Sequence, residues 1–157
     1  MNPFDHADGM IVAPVSETKN INLTFGIFCD EHRFPARFIG LYDQKKIFSV
    51  GLISNVARRY PDGLLETLCA SRLHPALIEA VRVLSVSLRA KMDAAPWYFY
   101  FVKRFEPTSL AKDTPYGVPR TRVFSVSEVS GISDPFEDAS DLARALDGKS
   151  HPLGGKK

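Results

Sequence analysis

The chain has 157 residues, of which 45% are hydrophobic and 24% are charged. These values exclude a disordered or fibrous protein and fit one ordinary globular domain. A domain of this size buries roughly 70% of the surface that its unfolded chain exposes, so it needs neither disulfides nor a structural metal to fold. The net charge of +2 is too small to require a polyanionic partner.

The cysteines and the N-terminal residues bear on the cellular compartment. Cys29 and Cys69 lack the spacing of a zinc site and have no second pair beside them, which favours two reduced, buried thiols. The first residues lack the positive segment of a signal peptide, and no apolar run approaches the roughly 18 residues that span a membrane. We therefore expect a cytoplasmic protein with no membrane association.

Alternating apolar residues and turn residues predict a sheet. Residues 1–20 contain scattered proline, glycine and acidic residues and are predicted to be a flexible N-terminal arm, with a short edge strand at 10–13. The alternation from Ile21 to Ile27 is typical of a half-buried strand. The polar residues 43–46 predict a tight turn between two further strands. The predicted strands are 21–28, 37–42, 47–54, 97–105 and 121–129.

Apolar residues at helical spacing predict three helices. Pro75 suits a first helical position, and leucine and valine recur on one face after it, so the spacing predicts a long helix over 75–93. A shorter helix is predicted over 64–73. An acidic helix is predicted to begin at Asp134, which would cap it, and to end before Gly148.

These elements predict a single α+β domain over 21–148. Its antiparallel sheet of about five strands is expected to pack against one long helix, with a shorter helix and a C-terminal acidic helix completing the fold. The residues after it, 149–157, are rich in glycine and lysine and are predicted to be a disordered tail.

The segment from Trp97 to Phe105 holds the only tryptophan, two of the five tyrosines and three of the eleven phenylalanines. Aromatic residues fit a pleated strand, so we interpret this run as a central strand of the core. In an alternating strand Tyr98, Tyr100 and Arg104 share one face. That face is enriched in the residues that dominate binding energy at interfaces, which favours a small non-enzymatic accessory protein that binds a protein partner.

The long connection over 106–120 is the other predicted contact region. It contains three prolines and a glycine, and connections of this length in compact domains are often functional. Tyr116 within it completes the predicted partner-binding set with Tyr98, Tyr100 and Arg104. The oligomeric state is left open.

Paired cations support nucleic-acid binding as an alternative hypothesis. Each pair alone is usually a solvated surface, but pairs that converge in the fold would contact phosphates beside exposed aromatic rings. The candidate residues are Arg58, Arg59, Lys103, Arg104, Arg120 and Arg122.

A third hypothesis is a metal-dependent nuclease. Asp30 followed by Asp43-Gln44-Lys45 has the spacing of enzymes in which two carboxylates hold Mg²⁺ and a lysine assists the attacking water. The simpler interpretation of 43–46 is an exposed hairpin turn. No glycine-rich phosphate loop is present. The sequence therefore predicts no cofactor, no metal ligand and no catalytic residue.

Overall fold

The structure is a computed structural model that describes residues 8–68 and 72–154, apart from the side chain of Ser87. The strands are β1 (Gly9–Pro14), β2 (Ile27–Asp30), β3 (Phe38–Asp43), β4 (Lys46–Arg59), β5 (Leu65–Thr67), β6 (Trp97–Lys112), β7 (Arg122–Ser125) and β8 (Lys149–His151). The helices are α1 (Lys19–Phe25), α2 (Pro75–Ser87), α3 (Arg89–Met92), α4 (Val126–Ser130) and α5 (Ala139–Leu146).

All eight strands belong to one mixed sheet. Its main order is β2, β6, β4, β3, β1 and β7, while β5 pairs with β4 and β8 pairs with β6. The pairs β1–β3 and β6–β8 are parallel, and the remaining pairs are antiparallel. The sheet therefore combines local hairpins with pairings between distant parts of the chain.

The predicted architecture was wrong in both its sheet and its helices. The sheet has eight strands and two parallel pairs in place of about five antiparallel strands. The helix predicted over 75–93 is interrupted at Leu88, where φ is −114°, so the short helix α3 follows α2. Within the helix predicted over 64–73, Leu65–Thr67 form the short strand β5, paired with β4. Residues 69–71, including Cys69, lie outside the described residues.

Side-chain caps decide where two helices begin. The strand predicted over 121–129 ends at Ser125, because the Ser125 hydroxyl accepts a hydrogen bond from the Glu128 N–H at 3.2 Å and starts α4. The acidic helix begins four residues later than predicted, because the Asp138 carboxylate accepts a bond from the N–H of Asp141 at 2.8 Å. None of the helices in the described residues is long and apolar enough to cross a membrane.

Three central strands were placed correctly by the sequence. The strands predicted over 37–42, 47–54 and 97–105 correspond to β3, β4 and β6, although β4 and β6 extend much further. The polar hairpin turn at 43–46 is confirmed, since Asp43 pairs with Lys46 and the two residues between them have positive φ.

Two further strands lie within the stretches predicted as arm and tail. β1 lies between β3 and β7, and its residues from Met10 to Ala13 are fully buried. β8 pairs with the C-terminal end of β6. Residues 1–7 and 155–157 lie outside the described residues.

Apolar side chains cover the sheet on both faces. Along β1, Met10 and Val12 belong to one core cluster, whereas Ile11 and Ala13 belong to another on the opposite face. β6 supplies side chains to all three clusters of the core. A third cluster lies under α2, where Leu84 packs with residues of β6.

Gly26 ends α1 and sets β2 against β6. Its φ of 64° is left-handed, and its N–H donates to the Asn22 carbonyl at 2.9 Å. Its own carbonyl accepts from the N–H of Val102 at 2.8 Å. A Cβ at this position would lie 2.5 Å from the carbonyl oxygen of Val102, so only glycine allows this approach.

Gly26→Ala is expected to lower the free energy of unfolding by about 2–4 kcal/mol, because the backbone strain and the collision with β6 add. The matched control is Gly131→Ala, since Gly131 has a φ of 74° with nothing within 4 Å of the new Cβ. The control is expected to lower the free energy of unfolding by only about 1 kcal/mol, because alanine is strained in the left-handed conformation but collides with nothing. Urea denaturation measures both, and equal losses would contradict the packing argument.

Candidate functional site

Tyr100 of the predicted partner-binding set is a core residue. Its side chain is 1% exposed and packs between strands. The hydroxyl accepts from the N–H of Phe34 at 2.7 Å and donates to the carbonyl of His32 at 3.0 Å. Tyr100 thus anchors the loop between β2 and β3 and is not at the surface.

Tyr98 is half-buried beside Arg58, which belongs to the other predicted set. The two residues are paired across β6 and β4, and Arg58 Nη2 donates to the Tyr98 hydroxyl at 2.8 Å. Arg58 Nη1 donates to the hydroxyl of Tyr60 at 3.3 Å, and Tyr60 in turn donates to Glu66 at 3.0 Å. Both tyrosine rings lie within 6 Å of the guanidinium carbon. Arg58 therefore joins β4, β5 and β6 through Nη1 and Nη2, while its buried Nε has no hydrogen-bond partner among the described residues.

The other predicted cations of β4 and β6 lie beside acidic side chains. Arg59 lies on the opposite face from Arg58, donates to the Met92 carbonyl at 3.2 Å and lies 3.6 Å from Asp93. Lys103 and Arg104 are exposed beside a cavity of about 480 Å³ that Glu106 and Asp138 also line. Arg104 pairs with Glu106 at 3.4 Å. Acidic and basic side chains line this cavity in equal number, so it favours neither a negatively nor a positively charged ligand.

A second cavity, of about 340 Å³, lies where the loop after β6 meets the residues after β8. We call it the loop cavity. Its only charged lining residues among those the structure describes are Lys112 and Arg122, both basic. It is lined by Lys112, Pro115, Tyr116, Gly117, Pro119, Arg122, Leu153 and Gly154.

Tyr116 stands at the rim of the loop cavity in an unusual conformation. It is 88% exposed, and its φ of 66° is left-handed, which costs a bulky residue of the L series roughly 1–2 kcal/mol. Leu153, another lining residue of the cavity, also has a positive φ, of 46°. Strained backbone of this kind concentrates at ligand-binding sites, which marks this cavity as the leading candidate.

Lys112 holds the loop that displays Tyr116. The residue is only 6% exposed, and its ammonium donates to the Thr114 hydroxyl, to the Thr114 carbonyl at 3.4 Å and to the Pro115 carbonyl at 3.1 Å. The Thr114 hydroxyl donates onward to the carbonyl of Pro152 at 2.8 Å. Because the orientation of the peptide group between Pro115 and Tyr116 sets φ of Tyr116, the bond to Pro115 stabilises the left-handed conformation.

Arg122 supplies an accessible cation at the same cavity. Its guanidinium lies over the Phe124 ring at 5.2 Å and against the backbone of Gly154, where the Cβ of any other residue would collide with it. Within the part of the chain that the structure describes it has no hydrogen bond and no ion pair. Arg120, two residues earlier, is also exposed and has no such partner there. Both guanidinium groups are therefore available to a ligand.

A buried hydroxyl lies behind the loop. Tyr42 is 4% exposed, and its hydroxyl has no hydrogen-bond partner of suitable geometry among the described residues. A Cβ on Gly117, a lining residue of the loop cavity, would lie 3.6 Å from this hydroxyl. Desolvation raises the pKa of Tyr42, and the nearby backbone of Val118 opposes the shift. A buried hydroxyl without a hydrogen-bond partner lowers the free energy of unfolding. It is the second unfavourable feature at the loop cavity, after the left-handed backbone of Tyr116.

The residues of the nuclease hypothesis are engaged separately. Asp30 accepts from the backbone N–H of His32 at 2.8 Å, and Asp43 pairs with Lys19 at 3.0 Å. In the described residues no group of three or more His, Cys, Asp or Glu side chains could hold a metal ion. Burial, and next the charge of Asp30, raises the pKa of Cys29 to about 12, so this thiol stays protonated and is a poor nucleophile.

The structure groups the predicted site residues differently from the two sets predicted from the sequence. Tyr116 and Arg122 line the same cavity, and Arg120 lies between them in the chain, although the sequence assigned Tyr116 to one set and the arginines to the other. Arg58 contacts the start of the long strand β6, whereas Lys112 is the last residue of that strand and pairs with β8. Lys112 and Tyr42 were missed, because a single lysine or tyrosine in a strand carries no signal of burial.

Comparisons with known proteins show no family. No family model matches the chain, and no curated protein matches it significantly. A solved structure, the crystal structure of ASCH from Zymomonas mobilis, is similar with a TM-score of 0.49 and 9% identity, over 90% of this chain and 98% of that one. A likeness of this strength carries no argument about function, so the proposals that follow depend on the residues of the loop cavity.

Tyr42→Phe is expected to leave the free energy of unfolding unchanged or to raise it by about 1 kcal/mol, because it removes a hydroxyl with no partner. Tyr100→Phe is the matched control, since its hydroxyl makes two hydrogen bonds, and it is expected to lose about 1–2 kcal/mol. Chemical denaturation of both variants measures the difference. A loss in Tyr42→Phe as large as that in Tyr100→Phe would show that the Tyr42 hydroxyl is satisfied.

Tyr116→Asn is expected to raise the free energy of unfolding by about 0.5–1 kcal/mol, because asparagine tolerates the left-handed conformation and the exposed ring contributes little packing. Tyr116→Ala, which is as strained as the tyrosine, serves as the control and is expected to stay within about 0.5 kcal/mol of the native protein. Thermal unfolding of the three proteins compares them. The argument fails if asparagine and alanine have the same effect.

Proposed function

We propose that this protein binds single-stranded nucleic acid at the loop cavity. The observation that carries the proposal is the exposed, strained Tyr116 at the rim of a cavity whose charged lining side chains in the described residues are both basic. An aromatic ring beside cations is the arrangement on which unpaired bases stack while phosphates meet guanidinium groups. Arg122 and Arg120 are the phosphate contacts, and Tyr116 is the stacking residue.

Single strands suit this site better than a duplex. Stacking on Tyr116 needs a base whose face is free, which a base pair inside a helix does not offer. The cavity is small, near the lower limit of about 300 Å³ for sites that enclose a ligand, and it fits about one nucleotide. The remainder of a strand would lie on the surface beside Arg120.

The other predicted cations do not extend this surface. Arg58 and Arg59 lie on opposite faces of β4 and make internal contacts, and Lys103 and Arg104 line a cavity with two acids. Binding is therefore expected to depend on few phosphate contacts and to be only moderately sensitive to salt. A protein partner, the first hypothesis from the sequence, would contact either Arg104 at one cavity or Tyr116 at the other.

The test is fluorescence anisotropy of a labelled single-stranded oligonucleotide of mixed sequence at low salt. Tyr116→Ala is expected to weaken binding by about tenfold through the loss of stacking, whereas Tyr116→Phe keeps the affinity of the native protein. Arg122→Gln is expected to weaken binding to all sequences alike and to lower the slope of affinity against salt by about one unit.

Arg82→Gln is the matched charge control. Arg82 is an exposed arginine on α2, paired with Glu79 at 2.9 Å, and its loss changes the net charge as much as that of Arg122. It is expected to bind like the native protein. No binding by the native protein at low salt would refute the proposal, and so would equal effects of Arg82→Gln and Arg122→Gln.

A further inference from the structure

The charge of the loop cavity exceeds what an ordinary backbone phosphate needs. Lys112 and Arg122 bring two positive charges, and the described lining residues include no acid; Asp113, next in the chain, is exposed and does not line the cavity. A phosphodiester inside a strand carries a single negative charge. A phosphomonoester carries about 1.5 to 2 negative charges at neutral pH and matches the two cations.

The two cations have different roles in this cavity. The ammonium of Lys112 is buried, and its described partners are all neutral oxygens, so its charge is uncompensated there. A bound anion would offset part of the cost of keeping that charge away from water. Arg122 retains free N–H groups in a planar fork, which suits two phosphate oxygens at once. Lys112 thus adds a buried positive charge to the lining of the cavity, and Arg122 makes the hydrogen bonds to the phosphate.

The shape of the site favours the end of a chain. Leu153 and Gly154 line the cavity together with Pro115 and Gly117. A strand that passes through would have to enter and leave a recess of about 340 Å³, whereas a terminal nucleotide enters once. A terminal phosphate at Arg122 would also leave the adjacent base within the reach of Tyr116.

We infer that the loop cavity binds a phosphomonoester attached to a nucleoside, with the phosphate at Arg122 and the base on Tyr116. The inference depends on the proposed function, because it takes the end of a nucleic-acid strand as the source of that group. A free mononucleotide has the same chemistry, so the experiment has to separate the two sources.

The experiment compares one oligonucleotide sequence with three kinds of end, on both the 5′ and the 3′ side. The ends are a hydroxyl, a phosphate, and a phosphate capped as its methyl ester, which keeps the atoms of the group but carries one charge. We expect the oligonucleotide with a phosphate at one of its ends to bind about tenfold more tightly than the forms with a hydroxyl or a methyl-capped phosphate at that end. The reason is that the free phosphate brings one more negative charge near the partly exposed cations. Arg122→Gln is expected to abolish this preference, and Arg82→Gln is expected to keep it.

Unlabelled nucleoside monophosphate as a competitor identifies the source. Weak competition at concentrations far above that of the oligonucleotide supports a strand end. Competition as strong as that of the oligonucleotide supports the phosphomonoester site but overturns nucleic acid as its source. If all three ends bind equally and Tyr116→Ala weakens each of them, the inference is wrong and the proposed function stands. If no oligonucleotide and no mononucleotide binds, both are wrong.

Discussion

β4 and β6 pair from Arg59 opposite Trp97 to Lys46 opposite Ala111, and the other strands are arranged around this pair. β3 and β5 pair with β4, β2 and β8 pair with β6, and β1 and β7 join through β3. The register shifts at three places along the pair, which lets two long strands bend and serve separate clusters of the core. A change that disturbed this pairing would therefore affect every part of the sheet.

The same pairing positions the loop cavity. Lys112 is the last residue of β6, and its backbone N–H donates to the carbonyl of Lys45 in the β3–β4 turn at 2.8 Å. Its side chain can then order the loop that follows, while β8 beside it leads to Leu153, which also lines the cavity. The cavity is thus built on a rigid strand end, and its unfavourable features, the strained Tyr116 and the unpaired Tyr42 hydroxyl, are tolerated because that end is fixed.

The sequence predicted local elements well where the local signal was sufficient. Alternation and aromatic content identified β3, β4 and β6, and the polar residues at 43–46 identified the hairpin turn. The sequence was misleading where tertiary contacts override the local pattern of apolar residues. The strand predicted over 21–28 was wrong for most of its length, because α1 continues to Phe25 and β2 begins only at Ile27, after the left-handed Gly26 has ended the helix and bonded to β6. Within the helix predicted over 64–73, the residues from Leu65 to Thr67 form β5, because the neighbouring edge of β4 offered hydrogen bonds.

By itself the sequence determined a core rich in aromatic residues, the central strands, and a list of exposed candidates that included Tyr116, Arg120 and Arg122. Only the tertiary structure decided that Tyr116 and Arg122 line one cavity, that Tyr100 is internal, and that Arg58 is used between strands. The physical reason is that burial and charge at a site come from distant segments. Lys112 is buried and Arg122 is free because the end of β6, the start of β7 and the end of β8 meet, and no local pattern of residues records that arrangement.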